Sequence, residues 1–246
     1  MYPILFEFAG FTLYTQIVCI FFAFLTGLWL AIREGDRLGI SRLDLTDAVL
    51  WGFLCAIPGA RLLFLLLSWQ TTTWTFSSIC VLGAEDGGFS FHGGLLAAGL
   101  AGWLTARVHQ LCVWQLADAL APGLAVAVFS MRLGCLLNGC DYGVAATVPW
   151  GIVLHGANRH PIQLYEGVGN LGLLPVLLFV NARPHRSGQT GLLYLMLSGL
   201  IRVGVDFYRE EAERLWQLLT IPQILAAAIA AAAGLMLYVL MKYPSK

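Results

Sequence analysis

The chain has 246 residues, 59% of them hydrophobic and only 11% charged, with a formal net charge of +0 and a mean hydropathy of +0.76. Soluble domains carry about 25% charged residues, so this composition excludes a water-solvated surface, and the neutral balance gives no electrostatic case for nucleic-acid binding. A crossing helix takes roughly 20 apolar residues, so the length holds about seven crossings and leaves no room for a large soluble domain.

The start, MYPILFEFAG, lacks the basic region of a cleavable signal peptide. The first apolar run, Phe11–Ile32, is therefore expected to be a retained helix. Further crossings are expected over Asp47–Trp69, Phe91–Arg107, Leu116–Leu137, Ile162–Val180, Gly191–Tyr208 and Ile221–Met241. The connections are short and rich in Gly, Pro, Thr or charge. The expected fold class is an all-α integral membrane protein, one polytopic domain over residues 1–246 with short loops.

Basic residues collect on the cytoplasmic side of membrane proteins. With the N-terminus outside, Arg33, Arg37, Arg42, Arg107, Arg183, Arg186, Lys242 and Lys246 fall inside, against Arg159, Arg209 and Arg214 outside. That bias, and the odd number of crossings, predicts an outer N-terminus and a cytoplasmic C-terminus. The six cysteines are scattered without a C-x-x-C pair. Cys135 and Cys140 are five apart, a poor spacing for a metal pair, so no metal is expected.

Arg61, His92, Asp118, Arg132, Glu166, Arg202 and Asp206 lie within or at the edge of apolar segments. A charge at mid-bilayer costs about 2.5–3.5 kcal/mol on insertion scales. In this topology Arg61, His92, Arg132, Glu166 and Asp206 share the outer half of the membrane, which predicts a common polar cavity opening outward. Arg202, Asp206 and Arg209, spaced i, i+4 and i+7, would share one helix face. Such an acid can hold one arginine fork while another faces a ligand. Arginine matches phosphate with two parallel hydrogen bonds and stays protonated when buried, and in a membrane the commonest phosphate is a lipid head group.

Four stretches carry the remaining chemistry. In FSFHGGLLAAG, His92 can accept a proton near neutral pH, and Gly93 and Gly94 admit a close backbone or ligand. In MRLGCLLNGCDYG, Arg132 and Asn138 are polar at an apolar helix end that Gly139 breaks. In RHPIQLYEG, Pro161 suits a helix start, and Gln163, Tyr165 and Glu166 enter the membrane together. Within PGARLLF, Arg61 stands alone in an apolar run.

In order along nearly the whole chain, these segments resemble the bacterial prolipoprotein diacylglyceryl transferase family. EDGGFSFHGGL (Glu85–Leu95) is similar to its D-G-G-x-S-F-H-G-G-L segment, and MRLGCLLNGCDYG to its signature G-R-x-G-N-F-x-N-G-E-x-x-G. HPIQLYE (His160–Glu166) resembles H-P-x-Q-L-Y-E, IRVGVDFYR (Ile201–Arg209) resembles F-R-x-x-x-E-F-x-R, and PGARLLF resembles G-G-R-x-G. The signature's first asparagine is Cys135 here, its glutamate aligns with Cys140 with Asp141 one residue on, and Ser198 stands where the family usually carries tyrosine.

The resemblance implies transfer of a diacylglyceryl group from phosphatidylglycerol to the lipobox cysteine thiol of a prolipoprotein, releasing glycerol phosphate, in the bacterial cytoplasmic (inner) membrane and without a cofactor. It implies catalytic roles for His92, Arg132 and Arg202. Tyr14, Arg61, Gly93, Gly94, Asn138, Gly143, His160, Gln163, Tyr165, Glu166, Asp206 and Arg209 become expected substrate-binding residues. Two other readings stay open: a related transferase with another lipid or acceptor, and a lipid-binding or transport protein without chemistry. A transporter would be expected to show repeated halves and broken mid-membrane helices, and the sequence shows neither.

Overall fold

The computed structural model describes residues 3–8, 11–69, 88, 90–210, 214–215 and 219–243. Among these are seven α-helices: α1 (Thr15–Arg37), α2 (Arg42–Leu67), α3 (Phe91–Val108), α4 (Val113–Asn138), α5 (Ile162–Asn181), α6 (Gln189–Asp206) and α7 (Ile221–Lys242). Three two-stranded hairpins accompany them: β1 (Ile4–Phe8) with β2 (Phe11–Tyr14), β3 (Ile152–Leu154) with β4 (Ala157–Arg159), and β5 (Arg214–Leu215) with β6 (Leu219–Thr220). All seven expected crossings correspond to helices. By length and composition, α1, α2, α4, α5 and α7 can cross a membrane. The remaining two, α3 and α6, have 18 residues each.

Large apolar side chains point outward, among them Phe21, Phe22, Trp29, Leu66, Leu67 and Leu96. Exposure on this scale suits lipid rather than water. The protein is an all-α membrane protein; among the described residues its strands lie ahead of α1 or in the α4–α5 and α6–α7 connections.

Helix α1 runs on to Arg37 instead of ending at Ile32, and α2 starts at Arg42 instead of Asp47; two other helix ends differ from expectation for identifiable reasons. Phe11–Tyr14 is strand β2 rather than the start of a helix, paired from Phe8↔Phe11 to Ile4↔Tyr14. Its Phe-Thr-Leu-Tyr sequence favours extended backbone, and the Thr15 N–H donates to the Pro3 carbonyl at 3.0 Å. Helix α6 stops at Asp206 instead of Tyr208. The chain beyond it pairs with residues 142–144: the Val144 N–H donates to the Tyr208 carbonyl at 2.8 Å, and Gly143 bridges Arg209.

The chain groups into two compact units, one of Met1–Glu34 with Ala117–Lys246, the other Gly35–Leu116. In the first, small residues set the helix spacing, as they do where lipid gives no hydrophobic drive between helices. A Cβ on Gly123 of α4 would stand 2.5 Å from the Gly27 carbonyl oxygen of α1, and one on Gly199 of α6 would stand 3.0 Å from the Ala226 carbonyl oxygen of α7. Helix α7 starts on a capping box in which Thr220 and Gln223 satisfy each other's backbone N–H groups.

Asp118, fully buried on α4, accepts from the Gly188 N–H at 2.6 Å and the Gly191 N–H at 2.8 Å. It caps the N-terminus of α6 from a neighbouring helix, where the dipole favours an anion. This buried charge is structural.

In the second unit, α2 and α3 pack through glycines. A Cβ on Gly93 would meet the Gly59 carbonyl oxygen at 2.4 Å, and one on Gly94 would lie 3.2 Å from the Ala56 carbonyl oxygen. The close neighbour that Gly93 and Gly94 admit is therefore the α2 backbone. Arg61, 4% exposed, donates to the Gly88 carbonyl at 3.1 Å and lies over the Phe64 ring. Ser90 caps α3 through the Gly93 N–H. The backbone of His92 lies in α3, and its side chain lies outside the described residues.

Candidate active site

In the first unit, Arg132 sits two turns before the end of α4, Glu166 opens α5, and Arg202 and Asp206 close α6. Helices α4 and α6 contribute their C-terminal ends and α5 its N-terminal end. Alternating helix direction thus gathers these residues at one end of the unit. Asp141 follows α4 in a turn, and Arg209 follows α6 in the bridge to Gly143.

Their side chains close a ring of alternating charge. Asp141 Oδ2 accepts from Arg132 at 2.5 Å, and Arg132 reaches Glu166 Oε1 at 2.9 Å. Glu166 also accepts from Arg202 at 2.9 and 3.1 Å. Arg202 lies 3.7 Å from Asp206 Oδ1, which accepts from Arg209 Nε at 2.7 Å. Arg209 returns to Asp141 Oδ1. Three arginines face three carboxylates, so the ring is formally neutral.

Exposure runs from 0% at the Asp206 side chain and 9% at Glu166 to 24% at Arg202 and 32% at Asp141. Half-buried ion pairs roughly offset their own desolvation. Stability alone therefore gives no reason to gather six charges here. What the ring does is lock guanidinium forks in place: Glu166 Oε1 is shared by Arg132 and Arg202. Arg209 joins this arrangement from outside the helix, not from the shared α6 face that its spacing suggests.

Neighbouring residues hold the turn. Gln163 donates to the Cys140 carbonyl at 2.7 Å. Asn138 is the last residue of α4, and just beyond it the Cys140 thiol donates to the Cys135 carbonyl at 3.5 Å. Gly143 is required for close approach, because a Cβ there would stand 2.5 Å from the His160 carbonyl oxygen. Arg159 donates to the Gly143 carbonyl at 3.1 Å and pairs with Glu210 at 2.6 Å. Asn170 takes the Ser198 hydroxyl at 2.8 Å and itself donates to the Glu166 carbonyl.

Beside the ring lies an aromatic group. Tyr165 Oη is 3.0 Å from His160 Nδ1 and accepts from Trp150 Nε1 at 2.7 Å, while the His160 and Tyr208 rings are 4.9 Å apart. Tyr14, about half exposed, immediately precedes α1, whose Gln16 and Cys19 abut Gly134 two residues past Arg132.

The structure thus brings together Arg132, Glu166, Arg202, Asp206 and Arg209, with Asn138, Gly143, His160, Gln163 and Tyr165 around them. Arg61, His92, Gly93 and Gly94 belong to the other unit. The residue that sequence reasoning missed is Asp141. Its signal was the broken helix end, where Gly139 and Asp141 adopt φ of +77° and +62°. Aspartate tolerates that backbone better than most residues, and there the Asp141 carboxylate is paired with both Arg132 and Arg209.

Residues 3–240 match the family model described as prolipoprotein diacylglyceryl transferase. The chain is 34% identical over 217 residues to a phosphatidylglycerol–prolipoprotein diacylglyceryl transferase of Chromohalobacter salexigens, covering 82% of this chain and 81% of that protein. It is 30% identical over 243 residues to the protein of that name from Pasteurella multocida (92% and 90% covered), and 30% identical over 253 residues to that from Gloeobacter violaceus (95% and 91% covered).

Proposed function

The chain belongs to the prolipoprotein diacylglyceryl transferase family, and from that premise we propose that the arginine–carboxylate ring is its phosphate-handling centre. The enzyme transfers the diacylglyceryl group of phosphatidylglycerol to the lipobox cysteine of a prolipoprotein and releases glycerol phosphate. Because the phosphate leaves with the glycerol head group, the bond that breaks joins the diacylglyceryl carbon to a phosphate oxygen. A sulfur–carbon bond forms there, the electron pair passes to the phosphate, and the thiol proton goes to a base.

A free thiol has a pKa of about 8.5, so removing its proton is part of the barrier. His92 is the proposed acceptor, on its residue type and motif. The leaving phosphate gains charge as the carbon–oxygen bond opens. Arg132 and Arg202 stabilise that charge, and because they are already fixed by Glu166, no reorganisation is needed at that moment. The observation that carries this reading is the shared Glu166 carboxylate, which aligns two arginines that never deprotonate. The ring end of the first unit faces outward across a bacterial cytoplasmic membrane, where the acceptor cysteine arrives.

The test combines purified protein, phosphatidylglycerol and a lipobox peptide with a free cysteine, following peptide mass and glycerol phosphate release. A gain of one diacylglyceryl unit, lost in Arg132→Ala, is expected. No product from the unaltered protein, with lipid still bound, would remove the transferase reading in favour of a lipid-binding role.

A further inference from the structure

The three carboxylates of the ring are not alike. Glu166 and Asp206 are carried by helices, and the Asp206 Oδ2 atom also takes the Thr220 hydroxyl at 2.5 Å. Asp141 stands on a turn with left-handed backbone and is the most exposed of the three. Among the described residues its carboxylate meets only Arg132 and Arg209, one oxygen to each. Two non-bridging oxygens of a phosphodiester would make the same pair of contacts. Carboxylate and phosphodiester also carry the same single charge, so exchanging one for the other leaves the ring neutral.

We propose that Asp141 is an internal stand-in for the lipid phosphate, seated between Arg132 and Arg209 until phosphatidylglycerol displaces it. This deepens the transferase reading and rests on it for the identity of the anion. The displaced side chain keeps the arginines aligned when no lipid is bound and returns to the seat as glycerol phosphate leaves. Asp141 is a positioning residue: it acts through the two arginines and touches no reacting atom. The seat is open for only part of the time, and apparent anion affinity is weakened by that fraction.

The experiment compares unaltered protein with Asp141→Asn, which keeps the shape and removes the charge. Binding of glycerol phosphate is read by calorimetry, and KM for phosphatidylglycerol is read separately from kcat. Removal of the competing charge is expected to tighten glycerol phosphate roughly five- to ten-fold and lower KM alongside it, with no rise in kcat. Unchanged or weaker anion binding overturns the proposal, because a merely structural aspartate would lose kcat without tightening the anion.

Should Asp141→Asn fail to melt cooperatively in detergent, the unaltered protein gives a second reading. Carbodiimide-driven amine labelling of Asp141, mapped by mass spectrometry, is expected to rise when phosphatidylglycerol is added and to stay constant with neutral diacylglycerol. No rise overturns the proposal. Both anion readouts are independent of turnover, so failure of the transferase reading shows separately, as absence of peptide product.

Discussion

Arg202 spreads its fork between two acids: Nη1 donates to both oxygens of Glu166, at 2.9 and 3.1 Å, while Nη2 lies 3.7 Å from Asp206 Oδ1. Lysine has one charge of the same sign but no fork. Arg202→Lys is therefore expected to keep the protein folded and to lower kcat about 10²- to 10³-fold, the usual cost of removing one preorganised donor. Near-normal turnover in the peptide assay would show that the charge suffices without the fork. Cys140, just beyond α4, offers a second prediction. The neighbouring Cys135 thiol, aided by Asn138 and the Arg132 charge and opposed by burial, holds the pKa of Cys140 below the ordinary thiol value. The thiolate is the reactive form, so its population grows at lower pH than that of a free thiol. Iodoacetamide labelling of Cys140, followed by mass spectrometry, should climb at a lower pH than labelling of a free cysteine. In Cys135→Ala the climb should move toward higher pH, and an unshifted profile would exclude Cys135 as its cause.

At the scale of elements, the join between α4 and α6 depends on Asp118. Asp118→Ala strands the Gly188 and Gly191 N–H groups away from water, at about 1–3 kcal/mol for each buried donor left unpaired. The expected outcome is a lower melting temperature in detergent with turnover per folded molecule retained, since the ring lies at the other ends of these helices. Loss of turnover without loss of stability would instead tie Asp118 to the chemistry. The helices themselves were legible in the sequence because a membrane demands long apolar runs, and those runs predict α5 and α7 to within a residue or so at each end. The hairpins were not legible: Phe11–Tyr14 is as apolar as the helix it precedes, so hydropathy cannot separate strand from helix there. The end of α6 was hidden for a different reason, since it depends on pairing with residues 142–144, a contact distant in sequence. Asp141 was the hardest to see, because its contacts depend on a left-handed turn that only the backbone records. Arg132, Glu166 and Arg202 were visible because charges in apolar helices are costly enough to need a reason.

For the whole molecule, the proposed outward orientation of the ring is itself a prediction, carried by the bias of basic residues. The strand pair β3–β4 lies between α4 and α5, at the ring end of the first unit, whereas residues 182–188 lie between α5 and α6, at the opposite end. If basic residues mark the cytoplasmic side, Val153 is outside and Ser187 inside. Both positions are exposed, so a cysteine at either should accept a reagent without disturbing packing. In a background with the native cysteines replaced, Val153→Cys is expected to react with a membrane-impermeant maleimide on intact cells. Ser187→Cys should react only after the membrane is opened. The reverse pattern would put the ring on the cytoplasmic face, where a secreted acceptor could meet it only before export. The position of the ring at the helix ends has an energetic side as well. A chain with so few charges keeps a neutral ring of six at one end, where solvent reaches Arg202 and Asp141 and holds down the desolvation cost. The apolar lengths of the same helices remain free to face lipid. The two requirements, a polar place for a phosphate and an apolar surface for its acyl chains, are thus met along the length of single helices.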